Sequence, residues 1–134
     1  MSKEEIIRQI NICANNISGC NMQISIYTKT LIDFEKFLSN LNETLNVSKN
    51  ISDFLNNVKN SLAKANISED SSLNQNRINQ ANSAISDEIS NISSAINKCS
   101  EDIKQLNDKI NHVKEVKAAL ESQKRQLEYQ LSIL

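Results

Sequence analysis

Three cysteines and one histidine are the residues of this chain best suited to chemistry, either as a thiolate nucleophile with its base or as metal ligands. Their spacing works against both roles. His112 stands thirteen residues from Cys99, about 20 Å along a helix, and catalysis by Cys13 or Cys20 would need a base from another chain. Carboxylate-bridged metal sites in helical bundles pair inward glutamates with Glu-x-x-His motifs, whereas here the nearest acidic neighbour before His112 is Asp108, four residues away. Gly19 is the lone glycine, so no glycine-rich loop exists to cradle a phosphate. Cys13 and Cys20 are two helical turns apart, a rise of about 10.5 Å, beyond the roughly 7 Å limit for a disulfide. These residues predict a chain that is not an enzyme, with no catalytic, cofactor-binding or metal-binding residues and with reduced cysteines that act as small hydrophobes.

The elements that hold these residues are read from an unbroken 4-3 spacing of Ile6, Ile10, Cys13, Ile17, Cys20, Ile24, Tyr27, Leu31, Phe34, Leu38, Leu41 and Leu45. Steps averaging 3.5 residues line one seam of a helix that buries itself against another helix. A second grid runs through Ile78, Asn82, Ile85, Ile89, Ile92, Ile96, Cys99, Ile103, Leu106, Ile110, Val113, Lys117, Leu120, Lys124, Leu127, Leu131 and Leu134, apolar at all but three places. All three cysteines fall on these seams; His112 and Asp108 fall off them and are expected to face solvent. Asn82, Lys117 and Lys124 occupy a positions, where polar residues set register or partner choice, or where lysine stems lie along the seam with the ammonium lifted into water.

With no proline and one glycine the chain is expected to be nearly all helix: a single helical-hairpin domain over residues 1–134, elongated and antiparallel. Ser2 with Glu5 matches a capping box that starts the first helix near residue 3. Past Leu45 the apolar spacing resumes one residue early at Ile51, Leu55, Val58, Leu62 and Ala65, which reads as a stammer or a break at Asn46–Asn50, with Ser48, Asn50 or Ser52 as a new cap. The expected helices are therefore about 3–46, 51–65 and 73–132. The chain reverses within Asn66–Ser72, and Ser68, or Ser72 with Gln75, caps the last helix.

Fifteen basic and 16 acidic residues are interspersed, as on a solvated helix surface. Without a basic face, nucleic acid is excluded as a partner. No window reaches the roughly 18 apolar residues of a membrane span, and the start has no export signal, which predicts a cytoplasmic chain. The Asn-x-Ser/Thr triplets then follow from composition alone.

A helix serving only a hairpin needs one apolar stripe. The first helix carries a second one, away from its seam: Ile12, Gly19, Met22 and Ile26, widened by Ile7, Ile32 and Phe37. Either another protein covers this stripe, or the short helix 51–65, with Phe54 to spare, folds back over it, or these are singly exposed apolar residues. The candidate partner-binding residues are Ile12, Gly19, Met22, Ile26, Ile32 and Phe37.

A glycine-poor chain of this length, with a seam-bearing N-terminal helix, an interrupted middle and a long C-terminal coiled-coil helix, resembles the small α-helical partner proteins encoded beside LXG-type toxins of Gram-positive type VII secretion. The resemblance covers the whole layout. It implies a targeting chaperone or adaptor that binds the helical N-terminal region of a toxin, alongside a second small helical partner, and that is cytoplasmic or co-secreted. The Trp-x-Gly turn of the wider secreted hairpin group is missing, with the stretch around Ser52–Leu55 in its place. The Tyr-x-x-x-Asp/Glu export signal is absent too, since Tyr129 is followed four residues on by Ile133. The resemblance thus implies an export signal on a partner. The alternative is a structural coiled-coil protein that associates with itself, and a homodimer is compatible with either reading.

Overall fold

The first turn is built by Ser2: its Oγ accepts a hydrogen bond from the Glu5 amide at 3.1 Å, and its carbonyl accepts from the Ile6 amide at 3.0 Å. Capping of this kind satisfies amides that have no partner inside the helix. Glu4 and Glu5 add negative charge where the helix dipole favours it. The Glu5 carboxylate turns forward to Arg8 and Gln9, and the hydrogen bond from Arg8 holds its pKa below the ordinary glutamate value. Helix α1 runs from here, Lys3–Ala65, and α2 is Glu69–Ser132. A computed structural model describes residues 1–65 and 69–134, with side chains in the second stretch from Asn74 onward.

The two helices pack against each other as a hairpin and form two compact units. The terminal unit joins Met1–Phe34 to Asp102–Leu134, and the central unit is Glu35–Glu101. In the terminal unit the helices are antiparallel. Ile6 and Cys13 form a buried cluster with Leu127, flanked by Ile10 and Leu131, while further on the Lys109 ammonium sits 5.8 Å from the centre of the Tyr27 ring. Phe34 then lines a shallow groove with Leu106.

Every apolar seam position from Ile6 to Leu45 is buried or half-buried, and so is the α2 grid from Ile78 to Leu131. Lys117 and Lys124 keep their places in it. Their stems are half-buried and their ammonium groups reach Glu121 and Glu128, one turn on, at 3.7 and 2.9 Å, which is the snorkelling arrangement.

Two expectations fail. No separate helix spans 51–65, because α1 passes through Asn46–Asn50 without a break. Of the expected set Leu55, Val58 and Leu62 are half-buried while Ile51 is 42% exposed and Ala65 is exposed; Ser48 is 4% exposed and Ser52 is half-buried, so serines carry the seam from Leu45 on to Leu55, with Val58, Lys59 and Leu62 following. A serine costs a helix only a fraction of a kcal/mol, and with no proline or glycine here nothing stops the helix. Hydroxyls on α1 are also absorbed locally, as Thr30 and Thr44 donate to the carbonyls of Ile26 and Asn40, both at 2.9 Å. The second failure is the start of the last helix. It begins at Glu69 instead of 73, which leaves Ser72 inside the helix. The expected reversal within 66–72 and the cap at Ser68 involve residues 66–68, outside the described residues.

In the central unit Asn82 donates from Nδ2 to Asn56 Oδ1 at 3.3 Å, while its own Oδ1 is buried without a partner. An unpaired buried carbonyl costs about 1–3 kcal/mol.

Two substitutions test this seam. Ser48→Asp should cost about 2 kcal/mol or more of stability by burying a charge, whereas Ile51→Ser should cost less than about 1 kcal/mol. Thermal unfolding followed by circular dichroism compares them, and the reverse order would move the seam to Ile51. Asn82→Leu should stabilise the chain by about 1 kcal/mol, read as a higher urea midpoint; a lower midpoint would mean that the amide is fully paired.

Candidate functional site

The chemistry-bearing side chains are kept apart. Cys13 and Cys20 are buried in the terminal unit and Cys99 in the central unit, and none of the three is in a disulfide. His112 and Asp108 are exposed, on the rim of a shallow groove that also takes in Gln23, Tyr27, Lys109 and Val113. Among the described residues, no group of three His, Cys, Asp or Glu side chains is arranged to hold a metal ion. None of their helices is long and apolar enough to cross a membrane.

The outer face of α1 is where the hairpin leaves apolar surface in water. In the terminal unit Met22 is 65% exposed and Ile26 is 60% exposed, and Ile7, Ile12 and Ile32 are exposed beside them. Gly19 lies among them. A Cβ added there would meet nothing within 4 Å, and the residue opens one side of a shallow groove formed with Asn15, Asn16, Gln23, Val116 and Leu120.

In the central unit Phe37 is exposed as expected, and it has company that the sequence pattern did not assign to this face. Val47, Ile51 and Phe54, at i, i+4 and i+7, are all exposed, Phe54 at 65%. Because α1 is continuous to Ala65, no helix over 51–65 folds back to cover the outer stripe. The signal that could have found these residues was the 3-4 spacing itself, had Ile51 been kept out of the seam.

Helix α2 contrasts with this. Its exposed large apolar residues among those described are Val116 and the terminal Tyr129, Ile133 and Leu134, the last two just past the helix end. One helix of the pair has two apolar faces and the other has one.

Comparison of the chain with protein-family models, curated proteins and solved structures gives no match.

The buried thiols have a measurable consequence. Maleimide labelling of the native chain should be slow at all three cysteines and rapid and complete in denaturant, with mass spectrometry counting the adducts. Rapid native labelling of Cys13 or Cys20 would show that the seam opens there.

Proposed function

We propose that this protein is a non-catalytic helical adaptor that docks on the helices of a client protein through the outer face of α1. The observation that carries this reading is the second apolar face, which the hairpin does not need for itself. Val47, Ile51 and Phe54 present the anchor spacing by which one amphipathic helix lies against another, with Phe37 on the same helix. Aromatic anchors contribute most at such contacts. The resemblance in layout to the small partners of LXG-type toxins supplies the class of client: the helical N-terminal region of a toxin exported by type VII secretion, met in the cytoplasm and accompanied by a second small helical partner.

Co-expression with the helical N-terminal region of an LXG-type toxin tests the reading. The two should co-purify, and the double variant Val47→Asp, Phe54→Asp should weaken binding by at least about 30-fold, the loss of one strong anchor, with helicity unchanged by circular dichroism. Undiminished binding by that variant would remove this face from the client contact.

A further inference from the structure

The two units are equal in length and unequal in what their seams enclose. Ile6, Cys13, Cys20, Ile110, Val113 and Leu127 are buried in the terminal unit, against Ile92 and Cys99 in the central one. Between Leu45 and Ile92 no apolar residue among those described is buried, and the enclosed side chain there is Ser48. The seam of that stretch runs through Ser48, Ser52, Leu55, Lys59 and Leu62 on α1 and Ile78, Asn82, Ile85 and Ile89 on α2, so polar residues hold four of its nine places. On α1 of the terminal unit, from Ile6 to Phe34, no serine, asparagine or charged residue stands in the seam. The two lysines in the seam of its α2 are each tied to a glutamate one turn on.

The polar places weaken the central stretch in two ways. A serine in the seam removes little apolar area from water, where a leucine or isoleucine removes a great deal. Asn82 adds a cost of its own, because its Oδ1 is buried without a partner.

Backbone preference falls in the same place. Thirteen of the twenty residues of 46–65 and eleven of the seventeen of 74–90 are Asn, Ser, Asp, Ile, Val or Phe, which hold a helix less well than Ala, Leu, Lys, Gln, Glu or Arg. Over 114–131 of α2, in the terminal unit, the weaker types are Val116, Ser122 and Tyr129 alone. Helices in water draw most of their stability from the packing of one face. Where α1 of the terminal unit is rich in isoleucine and asparagine, an unbroken apolar seam supplies that packing. The central stretch has neither support.

From these deficits, which fall on the same residues, we infer that 46–62 of α1 and 75–90 of α2 form one cooperative segment that opens, losing helix and seam together, while the terminal unit stays closed. Parts of a single fold open at different free energies according to how much apolar surface and backbone hydrogen bonding each protects. Opening here releases Leu55, Val58, Leu62, Ile78, Ile85 and Ile89, which are half-buried in the closed chain. They join Val47, Ile51 and Phe54, already exposed. The outward anchors of the central unit therefore sit on the part of α1 with the least to hold it, and the same motion that disorders them uncovers a second apolar set. This inference goes beyond the adaptor reading and does not depend on it.

The test uses the full chain without a client. Amide hydrogen exchange is followed residue by residue by NMR and each rate is divided by that of an unstructured peptide. The slowest amides of 46–62 and 75–90 should exchange at least about 30-fold faster than the slowest of 10–31 and 106–127. Two variants decide whether the segment opens by itself. Ile110→Val, in the terminal unit, should speed exchange there about 5-fold and leave 46–62 and 75–90 unchanged, because Ile110 stays enclosed whether the segment is closed or open. Asn82→Leu should slow exchange in the segment about 5-fold. Equal protection in the two regions, or equal acceleration of both by Ile110→Val, would mean that the hairpin opens only as a whole, and overturns the proposal. So does a segment whose exchange Asn82→Leu leaves unchanged. None of these readouts involves a client, so their failure is distinct from failure of the adaptor reading, which co-purification decides.

Discussion

The hairpin depends on a single row of side chains from each of two helices meeting lengthwise at 3.5-residue intervals. Such a seam is thin. No large side chain among the described residues is completely shielded, and the buried apolar set is Ile6, Cys13, Cys20, Ile92, Cys99, Ile110, Val113 and Leu127. A fully buried aliphatic side chain contributes about 1.5–3 kcal/mol, so stability here accumulates from many half-buried positions, with no dense centre to dominate it. This explains why three cysteines serve as packing residues and why polar residues in the seam matter beyond their number.

Those polar residues are handled in different ways. Lys117 and Lys124 keep their stems in the seam and pair with glutamates on their own helix, which leaves the seam's apolar contact largely intact. Ser48 is small enough to be enclosed. Asn82 is the costly one, since its carbonyl oxygen is buried and unpaired while its amide reaches Asn56. A misaligned register would bury this amide against purely apolar neighbours, so the same group that lowers stability also penalises slippage.

How much of this could be read from residue order follows from what periodicity measures. The seam from Ile6 to Leu45 and the α2 grid were legible, because burial on one face demands apolar residues at a fixed interval. The stretch just beyond Leu45 was not, because apolar identity was taken for the seam itself: Ile51 suggested a shifted phase, while the helix kept its geometry and enclosed Ser48 and Ser52. That one misassignment also hid part of the exposed apolar face, since Ile51 was spent on the core and Phe54 on a fold-back that does not exist. The stripe of Ile12, Gly19, Met22 and Ile26 was visible because no rival seam claimed it. The helix start at Glu69 was missed because Ser72 with Gln75 imitates a cap whose signal depends on local residues alone.

The two helices differ in what a partner would have to desolvate. A partner meeting α2 along the terminal unit would have to strip water from lysines, arginine and glutamates already paired or solvated, a cost that contact with their neighbours does not return. On α1 between Gln9 and Thr28 there is no charge to desolvate. Apolar surface free of charge is therefore concentrated on the helix whose own contribution to the fold is the same thin seam. An occupant of the outer face would stabilise the hairpin by mass action, in proportion to the logarithm of its concentration over its dissociation constant once that ratio is large. Folding of α1 and the recognition proposed for it would in this way be linked, because both draw on one helix that is half-buried on one side and exposed on the other.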